Sequence, residues 1–521
     1  MALTDVRAAR NVDSRATRRA WLKPAFAAAL PFLAILIWSA AVRLPFAGFA
    51  EDDEFLFAVV AREWLHGGLP YVTAFDIKPP GIFFIYAIVQ AIFGASHAVF
   101  KGLEIVATAG GAAVLFLMLR RIGRGRLALW GAVLYPVYTL AFEGTSAVNM
   151  LLQLPFVIAT FAAVFSATGD EVANRDRLSR AFLAGLAIGS AGMIKQTAVF
   201  EATAALLVLA FCAPQVTRLR VVALYVIGAA LPALAFSAYF LAVGHFREMF
   251  DATVVLALHR VDPGVLAAYG PLAGQLTVPG AIFSTIRQST EVVFLWGTAI
   301  FALVRVAEIG RIVPVRLLVL AVTWLAFALA SVVFSRALAS YYLLATIPPL
   351  LILSGAFFCY GFSAVRIDRP ATLIAPMLLA IATLLGVERG KLFHVDPWIY
   401  DGQLVARTTE AIRTLGPAPD DRLLVLTRGL PLYVTTGLRP PTPYFHGTHL
   451  MTVFPTPVDN PLAVSLAANP RFIVLANPER LLNAGSPQRQ RQALDYLAAH
   501  YRVAAVENGQ VDTYSVYEFV R

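Results

Sequence analysis

The residues best placed to do chemistry begin at 51–54, which read Glu-Asp-Asp-Glu directly after an apolar span. Four adjacent carboxylates repel one another, which raises individual pKa values and favours pairing with a cation or a metal. The plain alternative is a solvated acidic loop. The segment that follows, 55–66 (FLFAVVAREWLH), is short and amphipathic. It predicts a helix at the membrane surface, with Arg62 and Glu63 in water and Leu56, Val60 and Trp64 among the headgroups. Asp53 then sits at the helix N-terminus, where negative charge is favoured. A carboxylate held there can accept a proton from an incoming hydroxyl.

Asp76-Ile77-Lys78-Pro79-Pro80 comes next. The two prolines stiffen the chain and keep Lys78 and Pro79 extended, which fixes where Lys78 points. An ammonium aimed close to the headgroups suits a phosphate, although a lysine snorkelling to anionic lipid has the same pattern. Further ionisable residues mark the ends of apolar runs: Lys195-Gln196, Glu201 within the next run, Lys101 with Glu104, and Arg336 ahead of Tyr341-Tyr342. A charge placed in lipid costs at least about 2.5 kcal/mol, so such residues face a cavity or a partner. Lys101 and Glu104 read as a structural pair. Lys78, Lys195 and Arg336 fall on one side of the membrane together with the acidic run, and they look like a site for a membrane-borne anion.

Other chemistries find little support. His245 and His259 share a long loop with Asp251 and Asp262 but lack HExxH spacing, and His446 and His449 read as loop surface. No Walker A, GxGxxG or GxSxG motif stands out. The two cysteines, Cys212 and Cys359, make neither a disulfide framework nor a Cys-based metal site.

The elements that must position these residues are membrane helices. The 521 residues are 59% hydrophobic and 14% charged, with a mean hydropathy of +0.70. Soluble domains carry about 25% charged residues, so an ordinary soluble enzyme is excluded. The net charge of +10 does not point to nucleic acid, because the basic residues cluster between apolar spans as the positive-inside rule requires. Spans are predicted near 24–46, 98–119, 127–142, 147–168, 181–194, 197–213, 221–243, 291–305, 317–334, 341–361 and 370–387. The stretch 81–94 is too short to cross and reads as an interfacial helix, which leaves the arginines at 120–126 inside. The outcome is eleven spans, a cytoplasmic N-terminus and an external C-terminus. External loops cover 47–97 and 244–290. From 392 to 521 the chain turns polar, with strand-like runs at 422–427, 471–476 and 511–518 and a helical period over 487–500, where Ala493, Tyr496 and Leu497 share a face. The fold class expected is therefore a polytopic α-helical membrane protein, residues 1–391, with a small extracytoplasmic α/β domain.

The first loop resembles that of the GT-C membrane glycosyltransferases, in the branch of the lipid A aminoarabinose transferase and the protein O-mannosyltransferases. The resemblance rests on Asp53-Glu54 with Phe57-Ala58, on Ala61-Arg62-Glu63-Trp64-Leu65, on a Gly-Gly pair and on Lys78-Pro79-Pro80. It continues through Gly189–Gln196, through Arg336–Pro349 with its Tyr-Tyr and Pro-Pro, and into the C-terminal domain at Pro431-Leu432-Tyr433 and Thr435-Thr436-Gly437. It implies inverting transfer of a sugar from a polyprenyl-phosphate carrier, of undecaprenyl-phosphate type, to an acceptor on the outer face of a bacterial cytoplasmic membrane. Lipid A, a glycan, another lipid or a protein hydroxyl all fit as acceptor. Carried over, Asp53 is the catalytic carboxylate and Glu54 assists it. Lys78, Lys195 and Arg336 hold the donor phosphate, and Asp52, Arg62, Tyr341 and Tyr342 are candidate substrate contacts. Leu56 and Phe57 stand where the family often has Arg and Tyr, and Asn149 where many relatives carry Glu. The resemblance implies no firm cofactor; a divalent cation is compatible with the acidic run, though three cations already suit the phosphate. A polyprenyl-linked sugar flippase and a non-catalytic envelope assembly protein are the rival classes. The first predicts paired halves with interrupted helices, and the second predicts charged residues that tolerate alanine.

Overall fold

Long apolar runs broken by arginine-bearing turns fold into a helical bundle, as a computed structural model shows for residues 29–48, 50–122, 125–142, 144–169, 172–260, 290–335, 340–365, 371–393, 401–452, 454–477, 486–509 and 512–520. In chain order the larger helices are α1 (Ala29–Phe46), α2 (Asp52–Leu65), α3 (Pro80–Phe93), α4 (His97–Arg120), α5 (Gly125–Ala141), α6 (Asn149–Ala167), α7 (Asn174–Ile194), α8 (Ala198–Cys212) and α9 (Gln215–Ala242). They continue with α10 (Phe246–Phe250), α11 (Thr290–Val304), α12 (Val315–Ser335), α13 (Ile347–Val365) and α14 (Ala371–Phe393). Each predicted span thus contains a helix. Six stretches among the described residues are long and apolar enough to cross a bilayer: α1, α4, α6, α9, α12 and Tyr341–Gly361. Only 17% of the most apolar window of α9 is buried within the protein. A face that carries Leu231, Leu234 and Leu241 outward needs lipid to cover it.

α3 has 14 residues, about 21 Å at 1.5 Å per residue and short of a bilayer core near 30 Å. One face, with Ile82, Phe83 and Tyr86, is buried, while Phe84, Ile88 and Ile92 are exposed at i, i+4 spacing. That division suits a helix lying between protein and lipid.

The arginines collect at one end of the bundle. Arg121 donates to Ser166 Oγ at 2.9 Å, Arg180 to the Ser166 carbonyl at 2.9 Å, Arg177 to the Gly169 carbonyl at 3.0 Å, and Arg316 to the Thr168 carbonyl at 3.5 Å. They meet the carboxyl end of α6, where cations are favoured. The other end of α6 adjoins the acidic run.

The C-terminal residues form α15 (Gly402–Thr414), β1 (Leu423–Val425), α16 (Pro431–Thr436), α17 (Gly447–Met451), α18 (Pro461–Ala467), β2 (Phe472–Ala476), α19 (Pro487–His500), β3 (Tyr501–Asn508) and β4 (Thr513–Phe519). The sheet order is β1-β2-β4-β3. β1 and β2 run parallel, with Leu424 opposite Ile473, and β4 runs antiparallel to both β2 and β3. On α19, Ala493 and Leu497 are buried and Tyr496 packs half-buried beside them.

A second apolar core lies outside the helical bundle. It joins Phe55–Ala61 of α2 and Ile82, Phe83 and Tyr86 of α3 to Leu423–Leu426, Leu430, Tyr433 and Phe472–Leu475 of the sheet domain. This corrects the surface-helix expectation for α2: Leu56 and Val60 are buried in protein rather than lying among headgroups. Arg62 and Glu63 do not face open water either. Arg62 donates to the Tyr433 and Leu438 carbonyls, and Glu63, 3% exposed, pairs with Arg439. The α2 charges are docking contacts for the sheet domain.

Candidate active site

The first turn of α2 is held by the loop at 144–148, and that loop is held by buried ions. Arg43, at the end of α1, pairs with Glu104 of α4 and donates to the Gly144 carbonyl and to Thr139 Oγ1. Lys101 pairs with the other Glu104 oxygen at 2.7 Å and donates to the Thr145 carbonyl. One carboxylate between two cations, with two carbonyls and a hydroxyl taking further donors, is the arrangement that lets such charges be buried. The loop in turn grips α2: Glu51 N–H donates to Ser146 Oγ at 2.9 Å, and Ala147 N–H donates to Glu54 Oε2 at 3.0 Å. His97 meets the other Glu54 oxygen at 3.3 Å. Glu54 is fully buried with both oxygens engaged, so its contacts are those of a positioning residue.

Asp53, one residue earlier, points elsewhere. Its Oδ2 lies 3.9 Å from Lys78 Nζ, and it keeps 24% of its side-chain exposure. Burial alone raises its carboxyl, but Lys78, with Arg260 and Lys195 beyond it, outweighs that and holds the carboxyl below its ordinary value. Asp53 is therefore a carboxylate at neutral pH, partly open and beside a cation.

Lys78 is aimed by its loop. Tyr71 donates its hydroxyl to the Lys78 carbonyl at 2.8 Å, and Gln196 donates to the Ile77 carbonyl at 2.7 Å and the Thr253 carbonyl at 3.1 Å. Gly81 permits the close approach of α3 to α7, because a Cβ there would come within 2.5 Å of the Met193 carbonyl oxygen. Asp76 Oδ2 is 3.6 Å from Lys78 Nζ and has no hydrogen-bond partner among the described residues, while Oδ1 accepts from Ile77 N–H at 2.7 Å. Burial raises the Asp76 carboxyl despite Lys78. Burial alone lowers the Lys78 ammonium, but Asp53 and Asp76 hold it above its ordinary value.

Lys195 caps the carboxyl end of α7, buried, with its ammonium 3.7 Å from the Tyr342 ring centroid and 5.8 Å from that of Tyr341. The aromatic faces supply cation–π stabilisation to the buried ammonium. Arg260, from the segment that follows α10, lies within electrostatic range of Asp53, Asp76, Lys78 and Lys195. Three cations thus face two carboxylates, one of them raised, and the surplus positive charge suits an anion such as a phosphate.

The helix splays the acidic run, so that its carboxylates take separate partners. Asp52 turns toward Arg428 and Asp512 of the sheet domain, which form an ion pair at 3.6 Å. Burial raises Asp52 to about 6, against the pull of Arg428. Asp53 faces Lys78, and Glu54 faces Ala147 and His97. Among the described residues, no group of three His, Cys, Asp or Glu side chains is placed to hold a metal ion. Tyr341 and Tyr342 join the site through Lys195, whereas Arg62 serves domain docking. Arg336 lies outside the described residues, as does Asp262. His446 and His449 are not loop surface: they are 9% and 1% exposed, and Asp53, Lys78 and Arg260 all act on His446. Asp76 and Gln196 stand in the sequence beside Lys78 and Lys195 but were given no role of their own, whereas Arg260 and the two histidines carried no sequence signal beyond their residue types, because loops far apart in the chain bring them in.

Residues 77–241, which include Lys78 and Lys195, match the family model described as dolichyl-phosphate-mannose-protein mannosyltransferase. No curated protein matches the chain. Among solved structures, ArnT from Cupriavidus metallidurans bound to undecaprenyl phosphate is similar at 14% identity and a TM-score of 0.55, over 94% of this chain and 97% of that one. The archaeal oligosaccharyltransferase AglB from Archaeoglobus fulgidus, in complex with an inhibitory peptide and a dolichol-phosphate, is similar at 10% identity and a TM-score of 0.50, over 94% of this chain and 74% of that one. The architecture is the GT-C fold of a multi-pass membrane protein, in keeping with the motif resemblance.

Proposed function

We propose that this chain is an inverting glycosyltransferase that moves a sugar from a polyprenyl-phosphate carrier to a hydroxyl acceptor on the outer face of a bacterial cytoplasmic membrane. The observation that carries the reading is the ionised, partly open Asp53 beside Lys78 at 3.9 Å, with Lys195 at a helix end next to them. A carrier lipid lying along the bundle brings its phosphate to the level of Lys78 and Lys195, where Arg260 adds a third charge. Asp53 takes the proton of the acceptor hydroxyl as its oxygen bonds to the anomeric carbon. The bond from that carbon to the phosphate oxygen breaks, and the electron pair leaves with the polyprenyl phosphate. Its second negative charge develops beside the lysines, which stabilise it electrostatically. Asp53 then returns the proton to solvent. A single displacement inverts the anomeric centre.

In the same reading the chain crosses the membrane eleven times. The arginines around the end of α6 mark the cytoplasmic face, and the sheet domain, residues 392–521, lies outside with the site beneath it. Arg336 serves as a further phosphate ligand, and Glu54 supports Asp53 by fixing the first turn of α2.

The test uses the purified chain in detergent with a panel of radiolabelled polyprenyl-phosphate sugars and total membrane extract as acceptor. The wild type transfers label from one of them and Asp53→Ala does not. Carrier binding without cleavage by both proteins points instead to the flippase class.

A further inference from the structure

The sheet domain contributes directly to the site through α17. Phe75 N–H, on the Lys78 loop, donates to the Pro443 carbonyl at 2.9 Å. The Phe75 ring packs against Tyr444 at 5.5 Å and His449 at 5.4 Å. Phe454 closes the other flank, 4.6 Å from His449 and 5.8 Å from the Arg260 guanidinium. The short helix cannot drift. A Cβ on Gly447 would meet the Thr427 carbonyl oxygen at 2.5 Å, so the helix start is pressed against the end of β1. Arg489 grips its far end through the Leu450 carbonyl at 3.2 Å and the His449 carbonyl at 3.3 Å.

Two imidazoles are thereby fixed against the Phe75 end of the Lys78 loop, edge to face with ring centroids 5.1 Å apart, and His446 lies within electrostatic range of Asp53 and Lys78. Neither Nδ1 has a hydrogen-bond partner among the described residues, so nothing there fixes which ring nitrogen carries the proton. Burial, with Lys78 and Arg260, pushes His446 down to about 4, against the pull of Asp53, so the ring is neutral at neutral pH. A neutral imidazole adds no charge to pair with an anion. Its natural partner is a hydroxyl, which donates one hydrogen bond and accepts another. Lys195 approaches Asp53 and Lys78 from the membrane helices, while His446 approaches them from the sheet domain.

Resting on the glycosyl-transfer reading, we propose that His446 is an acceptor-binding residue: it donates a hydrogen bond from Nε2 to the oxygen of the attacking hydroxyl while that hydroxyl donates to Asp53. His446 neither gains nor loses a proton in the step. The hydroxyl proton goes to Asp53, the new bond forms at the anomeric carbon, and the phosphate leaves with the electron pair. His449 is a positioning residue that fixes the angle of the His446 ring by edge-on contact.

The experiment uses the full chain with the radiolabelled undecaprenyl-phosphate sugar that the wild type accepts, and titrates membrane extract as acceptor. His446→Ala raises the apparent KM for acceptor at least tenfold and leaves the KM for donor within twofold. His446→Gln, whose amide reaches about as far as Nε2, returns the acceptor KM to within about threefold of wild type. The inference is overturned if His446→Ala transfers with an unchanged acceptor KM. It is also overturned if Ala and Gln both lower kcat and disturb the donor KM alike, the mark of a merely structural ring. Failure of the wild type with every donor removes the glycosyl-transfer reading and this inference with it. Equal transfer by wild type and His446→Ala removes only the histidine.

Discussion

Breaking the Glu63–Arg439 pair tests whether the sheet domain is locked onto the helix that carries Asp53. Glu63 is 3% exposed, and its oxygens accept from Arg439 Nε at 2.9 and 3.0 Å and again from Nη2. The Arg439 side chain is 42% exposed. Removing one partner of a fully buried pair costs about 3–5 kcal/mol, and an exposed pair is worth about 0–1 kcal/mol. One buried partner and one open to water place the coupling between these limits, at about 1.5–3 kcal/mol. At about 1.4 kcal/mol per tenfold, that is a change of roughly 10- to 150-fold in the opening equilibrium of the interface. The assay is a double-mutant cycle of Glu63→Ala and Arg439→Ala, read by hydrogen exchange of the amides in α16 and the last turn of α2. The expected result is faster exchange in both singles, with the double close to the worse single. Two additive singles, with a coupling under about 0.5 kcal/mol, refute the lock.

Three further outcomes follow from the same contacts. Lys78→Met lowers kcat by roughly 10²–10³, as expected for one charge that stabilises a leaving group. It also removes the cation that depresses Asp53, so the acid limb of the pH–rate profile moves to higher pH. Asp52→Asn acts on a carboxyl raised by burial to about 6. A raised carboxyl binds its proton more tightly folded than unfolded, so wild-type stability declines as pH rises from about 4 through about 6. Thermal unfolding shows the variant flatter with pH across that window and more stable above it. Glu104→Ala leaves Arg43 and Lys101 buried without their carboxylate and costs about 3–5 kcal/mol, seen as a sharp drop in the heat-resistant fraction of detergent-solubilised protein.

The helices of the bundle were legible because lipid imposes a simple rule on them: long apolar runs, with arginines at one end. The loop that carries Asp53 and Lys78 was legible too, since prolines and clustered carboxylates stand out against an apolar chain. What escaped was set by contacts between distant segments. Arg62 and Glu63 look like the wet face of a surface helix until Tyr433, Leu438 and Arg439 cover them. β3 reads YRVAAVEN and leaves most of its residues partly or fully exposed at the sheet edge, so no apolar run announces it. The acidic run reads as one cluster, yet consecutive helical residues point about 100° apart, and each carboxylate finds a different partner. The role proposed for His446 depends on a fold in which Pro443, Tyr444 and His449 pack against Phe75, far away in the chain.

The most direct measurement follows release of polyprenyl phosphate from a labelled polyprenyl-phosphate sugar by the wild type and Asp53→Asn, alongside carrier binding by both. The account predicts that the wild type releases carrier in step with glycosylated acceptor. It predicts that Asp53→Asn binds carrier equally and releases it at least a thousandfold more slowly. Release by Asp53→Asn at the wild-type rate contradicts it.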